Sequence, residues 1–296
     1  MAETQRKKRP APSTARKWLA AATSRKWLFF DNDGSFEHHF DWVPRHLRVG
    51  PWSLGTYLFL VTFSVCLLTC APSDERPPPV ALPTSSPWLW VDVSIFAWGS
   101  VVLGYIAFRG YLSVLAISYT GLSWLLLTLR AGFAAFGSLL SLPLLLRASE
   151  ALRFTALAQA TVTFAVWNFV LLPVIYKLHC TGAKQRADFI RWNFSFTLVQ
   201  IHLLNLPMAL ANVVVGAGAR PFVAFDLYLA FVPLFAYALF YVLILDRVGV
   251  HLYPIFSPRL HYSVVGYSSL FVIYYGCYHC YDQLIHAPEG QPLPAA

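Results

Sequence analysis

The sequence predicts an all-α fold, a polytopic membrane helical bundle of about seven transmembrane helices, and three observations carry that expectation. Of the 296 residues, 57% are hydrophobic and only 12% are charged, about half the charged share of an ordinary soluble domain. Long apolar runs recur from residue 52 to residue 284. A spanning helix needs about 20 such residues, because each adds 1.5 Å against a hydrocarbon core about 30 Å thick. Aromatic residues make up 16% of the chain, and Trp and Tyr favour the water–lipid boundary, with an apolar body and a polar tip.

The elements follow in order. Residues 1–50 are polar, with Arg6-Lys7-Lys8-Arg9 and two copies of Arg-Lys-Trp-Leu at 16–19 and 25–28. They read as a basic, disordered cytosolic tail, and nothing before Pro51 has the apolar stretch and cleavage site of a secretory signal. The expected spans are 52–70, 88–108, 111–129, 154–176, 194–214, 222–245 and 262–284. The domain reading is a tail (1–50), a first span with a Pro-rich linker (51–87), a transmembrane core (88–285) and a short end (286–296). The apolar stretch 131–146 contains Pro143, Gly132 and Gly137. It reads as an extension of the third helix past Arg130 or an interfacial segment, not as an eighth span.

Charge gives the orientation. Ten Lys and Arg precede Pro51, and Arg109, Lys177, Lys184, Arg186, Arg191, Arg247 and Arg259 follow even-numbered spans. The opposite side receives Arg76, Arg147, Arg153 and Arg220. Basic residues accumulate on the cytosolic side, so the amino terminus is expected inside and the carboxyl terminus outside. The formal net charge of +8 is therefore a topology signal and not a nucleic-acid-binding face. In this orientation the sequon Asn193-Phe194-Ser195 is cytosolic and unused. Five cysteines, most in or beside apolar runs, do not form a disulfide framework. Cys277-x-x-Cys280 around His279 lacks a second ligand pair at zinc spacing and reads as small apolar residues near a helix end.

Polar groups inside a membrane are costly and mark packing seams or sites. In the fifth span Ser195, His202, Asn205 and Asn212 recur at helical intervals, and in the third span Ser113, Thr120 and Ser123 do the same. Both spans run in one direction. Counting from Gly110 and from Asn193 sets Thr120 and His202 at a similar depth, roughly 15 Å from the same face. A neutral imidazole can take the proton of a threonine hydroxyl and make it a nucleophile. Threonines in membrane helices also bond back to their own carbonyls, and spacing alone leaves both readings open. A haem ligand is a third use for His202, without an evident second axial histidine. Asp92 and Asp226, near span ends, either face an internal polar cavity or reach the headgroups, and the second reading is preferred.

From His202 onward the chain resembles the androgen-induced membrane hydrolase family, and through it the Rolling-stone proteins. The segments that carry the likeness are His202-Leu-Leu-Asn205-Leu206-Pro207, Tyr237, Gly249-Val-His-Leu-Tyr253-Pro254 and Tyr119-Thr120-Gly-Leu-Ser123-Trp124. Their order spans roughly 88–285. The resemblance implies a six-helix core plus one N-terminal span. It also implies hydrolysis of esters of fatty acids with hydroxy fatty acids, with Thr120 as nucleophile and His202 as base. Tyr119 or Asn205 would serve the oxyanion, or Asn205 would orient the His202 ring, and Ser123 and Asn212 would support the site. Relatives carry Glu where this chain has Asn212. The additional span at 52–70 inverts the sidedness drawn for the family, unless that segment does not cross. No metal or cofactor is called for. The expected partners are membrane lipids and a lipid ester substrate, with oligomeric state and organelle unassigned. The likeness to Rolling-stone proteins offers a non-catalytic role through protein partners as the alternative. A small-solute transporter is a third reading, without the inverted repeats that would support it.

Overall fold

The computed structural model describes residues 50–72, 89–214, 221–248, 250–253 and 256–286. The basic tail, most of the Pro-rich linker and the final residues lie outside this set, as do Gly249 and Pro254 of the closing motif. Among the described residues every regular element is helical. In chain order they are α1 (Leu54–Thr69), α2 (Leu89–Phe108), α3 (Leu112–Ile117), α4 (Tyr119–Leu139), α5 (Pro143–Lys177), α6 (Ala183–Asn193), α7 (Phe196–Val213), α8 (Ala224–Leu245) and α9 (Ser263–His286). Five of these, α2, α4, α5, α7 and α8, are long and apolar enough to cross a membrane. Their large outward side chains include Val101, Phe108, Phe169 and Val232, a surface that suits lipid better than water. The protein is an integral membrane helical bundle.

α4 is the most enclosed of the five, with 56% of its apolar window buried against 22% for α2. Small residues allow the close packing around it. A Cβ on Gly99 would collide with Thr128, and one on Gly132 would stand 2.7 Å from Phe96. Of the two glycines singled out in the sequence, Gly132 is therefore a contact point between α4 and α2, and Gly137 is one between α4 and Leu146 of α5.

Three expected boundaries move. The third span does not run unbroken over 111–129. Gly110 turns at φ +80°, α3 lasts six residues, and Ser118 is extended and caps a new helix through its bond from the Gly121 N–H at 3.0 Å. Ser113 thus lies on a different helix from Thr120 and Ser123, and its place in their stripe is lost. α4 then continues past Arg130 to Leu139. There the chain reverses: Leu142 N–H bonds the Gly137 carbonyl at 2.8 Å while Ser141 sits at φ 51°, a left-handed cap of the Schellman type. Pro143 opens α5 at the position where a missing N–H costs nothing. The fourth span therefore begins eleven residues before the expected 154, and Arg153, expected in a loop, is 2% exposed inside the bundle.

α1 is short, 16 residues, or roughly 24 Å. It nevertheless runs the depth of α8. At one end Trp52 Nε1 donates to Asp246 Oδ2 at 3.0 Å, and at the other Tyr228 donates to the Leu67 carbonyl at 3.0 Å. Thr56 and Ser263 share a hydrogen bond of 2.8 Å, and Phe59 stacks on Tyr267 with centroids 5.0 Å apart, so α1 lies parallel to α9.

Candidate functional site

The site begins with the way α4 and α7 lie together. Asn205 Nδ2 donates to Ser123 Oγ at 3.0 Å, and Arg130 Nη1 donates to the Asn212 carbonyl at 3.0 Å. Both pairs are 82 residues apart. Two contacts with one constant offset, one and then two turns along each helix, define parallel helices in fixed register. Thr120 and His202 are separated by the same 82 residues and each lies three positions before a member of the Ser123–Asn205 pair, but His202 sits within a widened π-helical turn above the docked stretch. The count from Gly110 does not fix the depth of Thr120, because the chain breaks at Ser118.

Both side chains are inside the molecule. Thr120 lines a cavity with Tyr119, Trp167, Tyr237, Tyr241 and Tyr253 and apolar side chains from α5, α8 and α9. His202 is 5% exposed and stacks on the Trp167 ring, with centroids 4.0 Å apart and planes 10° apart. Trp167 is thus shared, one face on His202 and an edge on the cavity of Thr120. The ring has the Leu198 carbonyl as a polar neighbour, and Nδ1 makes no well-formed hydrogen bond among the described residues. Two widened π-helical segments, Val199–Leu204 around His202 and Val166–Leu171 around Trp167, face each other here. Asn168 Nδ2 ties them by donating to the His202 carbonyl at 3.3 Å. Such widened turns often mark functional positions.

The supporting residues separate into two groups. Ser123 and Asn205 pair with each other and are fully enclosed. Tyr119 lines the cavity, but its hydroxyl is 2.6 Å from that of Tyr274, so its polar tip is engaged away from Thr120. Asn212 is two turns further along α7, where its amide hydrogen-bonds Asp92. Ser195 lies at the α7 N-cap position, outside the buried stripe of His202, Asn205 and Asn212.

A charge cluster surrounds Asn212. Asp92 is 8% exposed, not at the headgroups as expected, and faces Arg130. Arg130 lies 4.0 Å from Glu150, which is 3.8 Å from Arg153. The Arg153 guanidinium lies over the Phe222 ring, 5.1 Å from its centroid. Asp226 also turns inward, 1% exposed, accepting the Val223 N–H at 2.9 Å as a helix cap. Asn193 of the sequon is 5% exposed and accepts Trp167 Nε1 at 2.8 Å. Cys277 and Cys280 are free thiols on α9.

Sequence reasoning missed one residue at the cavity. Tyr253 appeared only as part of a short motif. Its phenol shares the cavity with Tyr119, Thr120 and Tyr237. Its own backbone is clamped on both sides by the Tyr241 hydroxyl, which accepts its N–H and donates to its carbonyl, each at 3.0 Å. Burial pushes the Tyr253 phenol above its ordinary value, against the pull of the polar groups of Thr120 and Tyr119 nearby, so it is neutral at physiological pH. The available signal was a Tyr-Pro pair in a segment too apolar for an ordinary loop.

Comparison with known protein families, with characterised proteins and with solved structures finds no match to this chain.

Proposed function

We propose that the protein is an intramembrane, threonine-dependent hydrolase of lipid esters, of the kind the androgen-induced membrane hydrolases represent. The observation that supports this reading above all is the Asn205–Ser123 hydrogen bond, which fastens α7 to α4 three residues after His202 and Thr120. The cavity adds to it. Its walls are mostly apolar, and a hydroxyl stands among them, as an acyl chain ending in an ester requires.

In the proposed reaction Thr120 Oγ attacks the ester carbonyl carbon while His202 takes its proton, directly or through one water. The tetrahedral intermediate collapses, the bond to the alcohol oxygen breaks, and His202 returns the proton to the leaving alcohol. Water, activated by the same imidazole, then releases the fatty acid from Thr120. Trp167 holds the imidazole plane, and the Asn205–Ser123 pair holds the two helices. Fatty acid esters of hydroxy fatty acids are the substrate class of this reading. Its topology has seven crossings, α1 and α9 joining the five apolar helices, with the basic tail in the cytosol.

The test is hydrolysis of a lipid ester by purified protein in micelles, together with labelling by a fluorophosphonate. Thr120→Ala and His202→Ala should each abolish turnover, and the label should sit on Thr120 and vanish in its variant. Full activity in both variants, or a wild-type protein that never labels, rejects the mechanism and leaves a non-catalytic membrane protein.

A further inference from the structure

The proposed hydrolase needs a donor for the negative oxygen that forms when Thr120 attacks. The two candidates the sequence offered are both engaged elsewhere: the Tyr119 hydroxyl with Tyr274, and the Asn205 amide with Ser123. What converges beside Thr120 is different. Ser118 caps α4 by taking the Gly121 N–H, which leaves the N–H groups of Tyr119 and Thr120, in the first turn, for another acceptor. The phenol of Tyr253 lines the same cavity as Tyr119 and Thr120, with the Thr120 hydroxyl and these N–H groups as its polar neighbours.

We propose that Tyr253 is a catalytic residue of this site, the side-chain donor of its oxyanion hole. This rests on the reading of Thr120 as nucleophile. A nucleophile's own N–H is a common member of an oxyanion hole, because the attacked carbonyl oxygen comes to rest close to it. In the resting protein the Tyr253 phenol stands beside that place, on the wall of the same cavity. The side chain is only half-buried, on the cavity side, while the backbone is held by Tyr241. The ring can therefore turn about its own side-chain bonds without moving the segment. When an ester enters, the phenol turns aside and its O–H joins the two N–H groups around the substrate carbonyl oxygen. As the Thr120 Oγ–carbon bond forms, the carbonyl π electrons move to that oxygen. The Thr120 proton goes to His202, and Tyr253 keeps its own proton and donates a hydrogen bond. On collapse the electrons return to the carbonyl and the phenol is unchanged.

Tyr253→Phe retains the ring and removes only the donor. Loss of one oxyanion donor lowers kcat by about 10²–10³-fold. The expected result is a loss of that size in kcat, with KM changed less than threefold and fluorophosphonate labelling of Thr120 slowed in parallel. Incorporation of 3,5-difluorotyrosine at 253 is the conservative rescue. It should restore turnover at neutral pH and move the alkaline limb of the rate profile downward, because an ionised phenol cannot donate. A Tyr253→Phe protein whose kcat stays within threefold of wild type, or whose loss lies in KM alone, overturns the proposal. So does a difluorotyrosine protein whose pH profile is unmoved. An inactive, unlabelled wild-type protein is a separate outcome that rejects the hydrolase reading itself, and Tyr253 with it.

Discussion

Asn205 donates to Ser123 across the α4–α7 seam at 3.0 Å, and each of these residues stands three positions after one member of the Thr120–His202 pair. The hydrogen bond is the nearest fixed point of the register to the proposed chemistry. Removing either partner strands the other in a fully enclosed place, at a cost of about 1–3 kcal/mol. Ser123→Ala and Asn205→Ala should therefore lower the thermal unfolding midpoint in detergent and reduce kcat more than they raise KM. The double variant should lose less than the sum of the singles, because the interaction is shared.

Arg130 is the second fixed point. It is 4% exposed, donates to the Asn212 carbonyl, and stands between Glu150 and Asp92. Breaking such a buried network by removing one member costs about 3–5 kcal/mol. Arg130→Met should reduce the folded yield in membranes and the unfolding midpoint by that scale. Arg130→Lys should rescue it poorly, because an ammonium lacks the planar fork that serves an acceptor on each side. Normal stability in both variants would show that the cluster carries little of the fold.

Gly121 is a sharper probe of the turn that presents Thr120. A Cβ there would stand 2.7 Å from the carbonyl carbon of Leu115 and closer still to its oxygen. Backbone atoms cannot swing aside as a side chain can, so Gly121→Ala must push α3 away from the first turn of α4. Activity should fall at least tenfold with the bundle still folded, as read by near-wild-type melting of the variant. A misplacement of about 1 Å is enough for such a loss. Unchanged kinetics would mean that this turn tolerates displacement.

Cysteine labelling tests the crossings. Cys70 ends α1, Cys280 lies near the end of α9, and both are exposed. With seven crossings, both fall on the membrane face opposite the basic tail. A membrane-impermeant maleimide applied to sealed vesicles should label them from that one face. Labelling of Cys70 from the tail's face would mean that α1 turns back without crossing. Cys180 should react slowest from either side. It is 1% exposed, and burial pushes its thiol up despite the nearby Arg186, which leaves little thiolate at neutral pH.

The parts of this structure that could be read in the sequence are those set by local periodicity. His202, Asn205 and Asn212 fall on one face because a helix repeats every 3.6 residues, and all three are buried. The apolar helices follow from composition for the same reason. Other features depend on partners far along the chain. Ser118 lies in an apolar run that gives no reason to stop, and only the capped first turn of α4 reveals the break. Arg153 read as a loop residue because its partner Glu150 and the ring of Phe222 become visible only once α5 is folded against its neighbours. Tyr253 comes to Thr120 from more than a hundred residues away, held by Tyr241 on α8, and no spacing rule along a single helix could bring it there.

The widened turn at Val199–Leu204 has a consequence for how α7 tolerates change in length. A π-helical turn is an α-helical turn holding one surplus residue. Below it, Asn205 and Asn212 are fastened to α4; above it, the rest of the segment is free to follow its own contacts. Excision of a single residue from that turn would let the backbone relax into ordinary helix and rotate the imbalance away. The lower half of α7 would stay docked while the imidazole swung off the Trp167 face. One amino acid more or fewer at this point thus separates a bundle that merely holds together from one whose histidine stays on the Trp167 ring.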